Sequence, residues 1–224
     1  MGFLIKFSKK TQEDIGVYLE TAVDYIMDGK LIAFPTNSVY GIGGDPQNHE
    51  LIQRLYDIKF RDRSKGFLLL VSDYEEACKI AEFNEKGKKL ANHFWPGQLT
   101  LILKKRESNL IPPEVTANQD TIGLRVPENE IILKILNILK SKGQLGAIIG
   151  TSANYSGEPP SIDGAQVAKS FLGTIDLILD SGKSKSKIST TIVDCSTEEV
   201  NFLRIGKITE EEIREVLSSG EDWG

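Results

Sequence analysis

Three short segments concentrate side chains able to do chemistry: Pro35-Thr36-Asn37-Ser38-Val39-Tyr40-Gly41-Ile42-Gly43, Lys59-Phe60-Arg61-Asp62-Arg63-Ser64-Lys65 and Thr151-Ser152-Ala153-Asn154-Tyr155-Ser156-Gly157. The first and third follow short apolar runs that read as buried strands. Hydroxyls, backbone N–H groups opened by glycine and fixed positive charge are what a protein needs to hold a nucleoside triphosphate beside a small polar substrate. Together they point to an enzyme that uses ATP.

Each segment also has a plainer reading. Thr36 to Gly43 could be a tight turn, or Thr36 and Ser38 could offer hydroxyls while the glycines let backbone approach a ligand. Lys59, Arg61, Arg63 and Lys65 alternate. They form either a solvated basic loop or, if the chain is extended there, one cationic face that would neutralise a triphosphate and stabilise a leaving pyrophosphate. Ser152, Asn154 and Ser156 carry more donor and acceptor capacity than a turn requires. Phe94-Trp95-Pro96-Gly97 reads as packing at a helix end that shapes a cleft.

Other patterns fail on inspection. Gly41-Ile42-Gly43-Gly44 is followed by Asp45 and Pro46 where a dinucleotide loop needs a helix-opening glycine. Gly182-Lys183-Ser184 lacks the upstream glycine of a phosphate loop, because Leu177 stands there. His49 and His93 are the only histidines, and no HExxH, CxxC or GxSxG occurs, so neither a metal site nor a Ser-His-Asp triad is expected.

The elements that must position these residues alternate along the chain. Thr11 and Asp14 read as a helix start, and Ile15, Leu19, Ala22, Val23 and Ile26 recur on one face until Gly29. Leu31 to Phe34 reads as a buried strand stopped by Pro35. Leu51, Ile52, Leu55, Tyr56 and Ile58 form a helix delivering Lys59. Phe67 to Val71 is an apolar strand, with Ser72 expected to cap a helix bearing Glu75 and Glu76. Further strands are expected at Leu99 to Leu103, Ile122 to Val126, Ala147 to Ile149, Ile175 to Leu179, Ile192 to Val193 and Val200 to Leu203, with helices over 128–141, 163–171 and 209–218. Apolar strands separated by helices imply an α/β fold with a twisted mixed parallel and antiparallel sheet flanked by helices.

The 224 residues suffice for one large domain, expected over 1–219, with 220–224 as a loose tail. With 27 Lys+Arg against 32 Asp+Glu, the net charge of −5 argues against a global nucleic-acid scaffold, though not against a local basic cleft. Cys78 and Cys195 read as reduced core thiols. Met1 to Lys10 does not read as a signal peptide, and no run approaches the roughly 20 apolar residues of a membrane span. A cytoplasmic protein without membrane partners is expected.

Taken in order, these segments resemble the YrdC/TsaC family, the threonylcarbamoyl-AMP synthases. That family shows Pro-Thr-Glu-Thr-Val-Tyr-Gly-Leu-Gly, a Lys-x-Arg leading to Lys-Pro-Leu or Lys-Gly-Leu, and Phe-Trp-Pro-Gly-Pro-Leu-Thr. A Gly-x-Arg-x-Pro, a Ser-Ala-Asn-x-Ser-Gly and a Ser-Thr-Ile-Val-Asp follow. Here they correspond to residues 35–43, 59–67, 94–100, 123–127, 152–157 and 190–194, and Leu203-Arg204-Ile205-Gly206 resembles the closing Leu-Arg-Pro-Gly. Asn37-Ser38 stands where Glu-Thr is usual, Gln98 and Ile205 replace prolines, and Thr190 replaces serine. The chain resembles the short, single-domain members.

The resemblance implies a YrdC-like domain with a large basic concave cleft. It also implies a reaction in which L-threonine, bicarbonate or CO2, and ATP with Mg2+ give threonylcarbamoyl-adenylate and pyrophosphate. A separate transferase complex would use that product to modify adenosine beside the anticodon of ANN-decoding tRNAs. By the resemblance, Thr36, Arg125 and Thr191 would contact threonine. Lys59, Arg61, Arg63, Lys65, Thr121, Ser152, Asn154 and Arg204 would line the ATP side, with Lys59 and Arg61 as the catalytic cations. The magnesium would come with the nucleotide, without a protein metal site. Two alternatives remain open: a double-stranded RNA or tRNA-binding module, with weak RNA binding, and a domain handling carbamoyl-adenylate.

Overall fold

The computed structural model describes residues 2–7, 11–171, 173–184, 186 and 188–219; the expected tail 220–224 lies outside the described residues. The elements begin β1 (Phe3–Lys6), α1 (Gln12–Met27), β2 (Ile32–Phe34), β3 (Gly41–Gly43), α2 (His49–Lys59), β4 (Leu68–Val71), α3 (Tyr74–Ile80), β5 (Ala81–Glu82) and α4 (Glu85–Phe94). They continue β6 (Leu99–Lys105), β7 (Thr121–Arg125), α5 (Glu130–Ser141), β8 (Ala147–Ile149), β9 (Thr151–Ser152), α6 (Gly164–Ser170), β10 (Leu177–Asp180), β11 (Thr191–Asp194), β12 (Asn201–Arg204) and α7 (Glu210–Ser218).

The mixed pairing expected from the sequence is present, divided between two sheets. One runs β1-β10-β2-β3-β9, parallel on the β1 side of β2 and antiparallel beyond it. The other runs β12-β11-β6-β7-β4-β8, with β5 on β6. Within it β6 pairs with β11, and β4 with β7, in parallel. The chain passes from one sheet to the other between β8 and β9. There Gly43 faces Ile149, and a Cβ on Gly43 would stand 1.6 Å from the Ile149 carbonyl oxygen. The Gly41-Ile42-Gly43 run is therefore a strand in close backbone contact with the second sheet, not a glycine turn.

Local chemistry explains the helix boundaries. Thr11 and Asp14 form a capping box on α1, and Thr209 and Glu212 form another on α7. Asp73, not Ser72, caps α3: its Oδ1 accepts from the Glu76 N–H at 2.8 Å, while the Ser72 hydroxyl donates to the Asp73 carboxylate at 2.9 Å. α4 was legible only as an end at Phe94, because its Glu85-Lys86-Gly87-Lys88-Lys89 start buries little besides Gly87, Leu90 and Ala91.

Two cores hold the layers together. Leu19, Val23 and Ile26 of α1 pack with Ile132, Ile135, Leu136 and Leu139 of α5 over β2 and β10. Leu69, Leu101, Leu103, Ile122 and Leu124 form the centre of the second sheet's core. At about 1.5–3 kcal/mol for each such buried side chain, these cores supply the rigidity on which the strand-end residues depend.

Candidate functional site

β2 delivers the chain to Pro35, which has no N–H to continue a ladder. The next residues fold back on Thr36. Its Oγ1 donates to the Val39 carbonyl at 2.7 Å, accepts from the Ser38 N–H at 3.0 Å and lies 3.0 Å from Ser38 Oγ. Both hydroxyl residues are buried, and both border a cavity of about 220 Å³.

β7 ends on Arg125, which is 4% exposed. Its Nε donates to the Gly97 carbonyl at 2.8 Å, Nη1 to Ser38 Oγ at 3.4 Å, and Nη2 to Asn37 Oδ1. Among the described residues no carboxylate forms an ion pair with it. Glu128 is kept at one remove, its Oε2 taking the Asn37 Nδ2–H at 3.5 Å. Burial and the neighbouring Arg204 pull the guanidinium down to about 9, so it stays charged at neutral pH. Asn37 thus holds Arg125 with a neutral amide, and Glu128 acts on its charge only from beyond that amide.

The basic segment is not extended. α2 ends on Lys59 because Phe60 takes a left-handed conformation with φ of 48°, so the four cations do not share a face. Lys59 turns inward, 2% exposed, and its Nζ donates to the carbonyls of Ser152 and Asn154 at 2.5 and 2.7 Å. Burial, with repulsion from Arg61, pulls its ammonium down to about 7. Lys59 fastens the Ser152 segment and does not line the cavity. Arg61 does line it: Nε and Nη2 donate to the Lys65 and Gly66 carbonyls at 2.9 and 2.6 Å, and the guanidinium lies over the Phe67 ring. Arg63 faces outward, paired with Asp57 at 2.8 Å, bonded to Gln53 and lying over the Tyr56 ring. The Lys65 side chain is exposed, outside the cavity lining.

β9, β11 and β12 complete the wall. Ser152 lines the cavity, but Asn154 does not: its Nδ2 is used by the Tyr155 and Glu158 carbonyls, both at 2.8 Å. On β11, Ile192 points into the cavity, as does Thr190 just before the strand, so alternation turns Thr191 away. Thr191 is fully buried, donating to the Ile208 carbonyl at 2.5 Å and accepting from the Gly206 N–H at 2.9 Å. Thr121 lies opposite Lys104 at the far end of β7, about 13 Å along the strand from Arg125. Arg204 lines the cavity, its Nε and Nη2 both held by Thr190.

Of the residues expected from the sequence, the structure gathers Thr36, Arg61, Arg125, Ser152 and Arg204 around one cavity. It places Lys59 behind it, and leaves Arg63, Lys65, Thr121, Asn154 and Thr191 elsewhere. Ser189 and Thr190 join the lining unforeseen. The strand period could have selected Thr190 over Thr191 had the inward face been known. A groove of about 1080 Å³, lined by Asn37, Gln98, Glu128, Lys183, Ser184 and Lys207 among others, shares Thr36 with the inner cavity.

Among the described residues the inner lining has three guanidiniums, several hydroxyls and no carboxylate, histidine or cysteine. Burial pushes the Cys195 thiol up to about 12, and His49 pairs with Glu114 at the surface. Among the described residues no three His, Cys, Asp or Glu side chains gather to hold a metal. Such a pocket can bind anions, orient them and spread developing negative charge, without a covalent nucleophile.

The fold and the cavity define an α/β protein of two mixed sheets with a cavity walled by guanidiniums and hydroxyls. A family model described as telomere recombination, covering Sua5, YciO and YrdC, matches residues 24–206, and the chain belongs to that family. A threonylcarbamoyl-AMP synthase of Pyrococcus abyssi is 33% identical over 200 residues, which are 89% of this chain and 57% of that protein. The chain therefore spans little more than half the length of that relative. The structure of P. abyssi Sua5 complexed with L-threonine superposes with a TM-score of 0.87 at 31% identity, covering 96% of this chain and 61% of the other. Escherichia coli YciO shares the fold with a TM-score of 0.80 at 23% identity, covering 95% of this chain and 98% of its own. No helix among the described residues is long and apolar enough to cross a membrane.

Proposed function

We propose that residues 1–219 form one catalytic unit that makes threonylcarbamoyl-AMP and pyrophosphate from L-threonine, bicarbonate or CO2, and ATP. The observation that carries this reading is a small cavity walled by Arg61, Arg125 and Arg204 with no acid among the described residues of its lining. It is supported by the relative named threonylcarbamoyl-AMP synthase and by the neighbour complexed with L-threonine.

A cavity of about 220 Å³ is smaller than most small-molecule sites. It suits an amino acid and the reacting phosphate, with the nucleoside extending into the outer groove. Thr36 and Arg125 would hold the threonine carboxylate, Nη1 of Arg125 being the edge with the longest existing contact. Arg61, Arg204 and Ser152 would face the phosphates. The threonine amine attacks the bicarbonate carbon and hydroxide leaves with an amine proton as water, giving a carbamate. A carbamate oxygen then attacks the α-phosphorus and the bond to the β-phosphate oxygen breaks, so the negative charge leaves on pyrophosphate. The protein's share is alignment and cationic stabilisation. Magnesium would enter with the nucleotide, held by its phosphates and water, since the described residues of the inner lining offer no carboxylate. The product would pass, in the cytoplasm, to a separate transferase acting on tRNA.

Pyrophosphate release measured with ATP, bicarbonate and threonine tests the reading. Release should require threonine, and serine should be a weaker substitute because the missing methyl is worth about 1 kcal/mol or more. ATP turnover indifferent to threonine would overturn the assignment. RNA retention without any turnover would favour a binding module.

A further inference from the structure

Tyr40 is fully buried and borders the inner cavity, yet its polar atoms are all committed to other parts of the chain. Its N–H donates to the Ser161 carbonyl at 3.0 Å, and its carbonyl accepts from the Ala153 N–H at 2.8 Å. Its hydroxyl donates to the Gly182 carbonyl at 2.7 Å and accepts from the Ser181 N–H at 3.1 Å. Asp180 Oδ1 lies 3.3 Å from that hydroxyl and itself accepts the N–H groups of Gly182 at 2.9 Å and Gly164 at 3.3 Å. Burial pushes the phenol up to about 12, so it remains a donor throughout the working pH range and is no general base.

The turn that this hydroxyl grips is the start of a wall. Ser181, Lys183 and Ser184 line the outer groove together with Glu128 and Glu130. Gly182 adopts φ of 88°, a left-handed conformation that directs the chain along the groove. Lys183 has no ion pair among the described residues, so its charge is available to a ligand. One residue rooted between Ser38 and Gly41 thereby holds the Ala153–Ser161 loop through its main chain and the outer wall through its hydroxyl. A phenylalanine would fill the same space without the tie.

We propose that Tyr40 is a positioning residue whose hydroxyl fixes the Ser181–Ser184 wall of the outer groove in register with the inner cavity. The proposal rests on the reading that the inner cavity takes the amino acid and the reacting phosphates while the nucleoside extends into the outer groove. Tyr40→Phe tests it by two measurements that need no turnover. Amide hydrogen exchange at Ser181 and Gly182 should accelerate at least ten-fold, while amides of β6 and β7 stay unchanged. Calorimetry should show about ten-fold weaker binding of a non-hydrolysable ATP analogue, with threonine affinity changed less than two-fold. Unchanged exchange at Ser181 and Gly182 would overturn the proposal, as would parallel losses of both ligands that track a lower Tm. Should Tyr40→Phe not fold, Ser181→Pro deletes the N–H on the outer side and leaves the ring in place. It is expected to give the same ATP-selective loss, and unaltered analogue binding there overturns the proposal. Absence of pyrophosphate release from the wild-type protein would sink the functional reading while leaving these binding comparisons interpretable.

Discussion

Arg125 is held by Gly97, Ser38 and Asn37 through three different nitrogens, a geometry that only a planar fork can satisfy. Arg125→Lys keeps the charge but strands buried acceptors, each costing about 1–3 kcal/mol. We expect threonine binding to fall at least ten-fold and the melting temperature to drop, with nucleotide binding less affected; calorimetry with each ligand separately decides it. Lys59 carries a different signature. Its ammonium, ordinarily near 10.5, is held to about 7 by burial, with Arg61 adding to the shift. Between those values the unfolded chain keeps a proton that the folded protein has released. Stability from this group therefore rises with pH across that window and is lost as pH falls through 7. Urea unfolding between pH 7 and about 10 should show the difference between wild type and Lys59→Met shifting in favour of wild type as pH rises, and little change below pH 7; a difference constant over that range would contradict the lowered ammonium.

Elements decide which cations matter. The left-handed residue Phe60 breaks the alternation of the basic segment, sending Lys59 inward, Arg61 to the cavity and Arg63 to the surface. Arg63→Ala should leave turnover within two-fold and stability within about 1 kcal/mol, as for other exposed ion pairs. Arg61→Ala should lower turnover about 100-fold, the effect of removing one preorganised charge-stabilising group. Equal effects of the two in a pyrophosphate assay would mean that the loop rearranges on binding. At the sheet crossing, Gly43→Ala should destabilise by about 4 kcal/mol or more, since backbone rather than a mobile side chain meets the new methyl. Thermal or urea unfolding checks that value.

At the scale of the molecule, two cavities meet at Thr36, one small and cationic, the other larger and of mixed charge. Sites that share a wall should be coupled, and the coupling is reciprocal. A saturating non-hydrolysable ATP analogue should therefore tighten threonine binding about five-fold, and threonine should tighten analogue binding by the same factor. Calorimetric titration of each ligand with and without the other measures both halves of the cycle. Independent binding would place the two ligands in separate sites.

The α/β class, most element positions and the residue types of the site were legible in the sequence, because apolar periodicity, caps and the ordered motifs from Pro35 to Gly206 are local signals. Thr36, Arg61 and Ser152 stood out by residue type, whereas Arg125 and Arg204 came only through the family resemblance. What local signals could not carry is direction. Whether Lys59 reaches a ligand or two carbonyls depends on a left-handed residue at Phe60, and whether Thr190 or Thr191 faces inward depends on the register of β11 against β6. The glycines of β3 look like a turn until another backbone is found beside them. Long-range packing completed these points: Lys59 meets Ser152 and Asn154, β11 pairs with β6 and Gly43 meets Ile149, each partner about a hundred residues away in the chain.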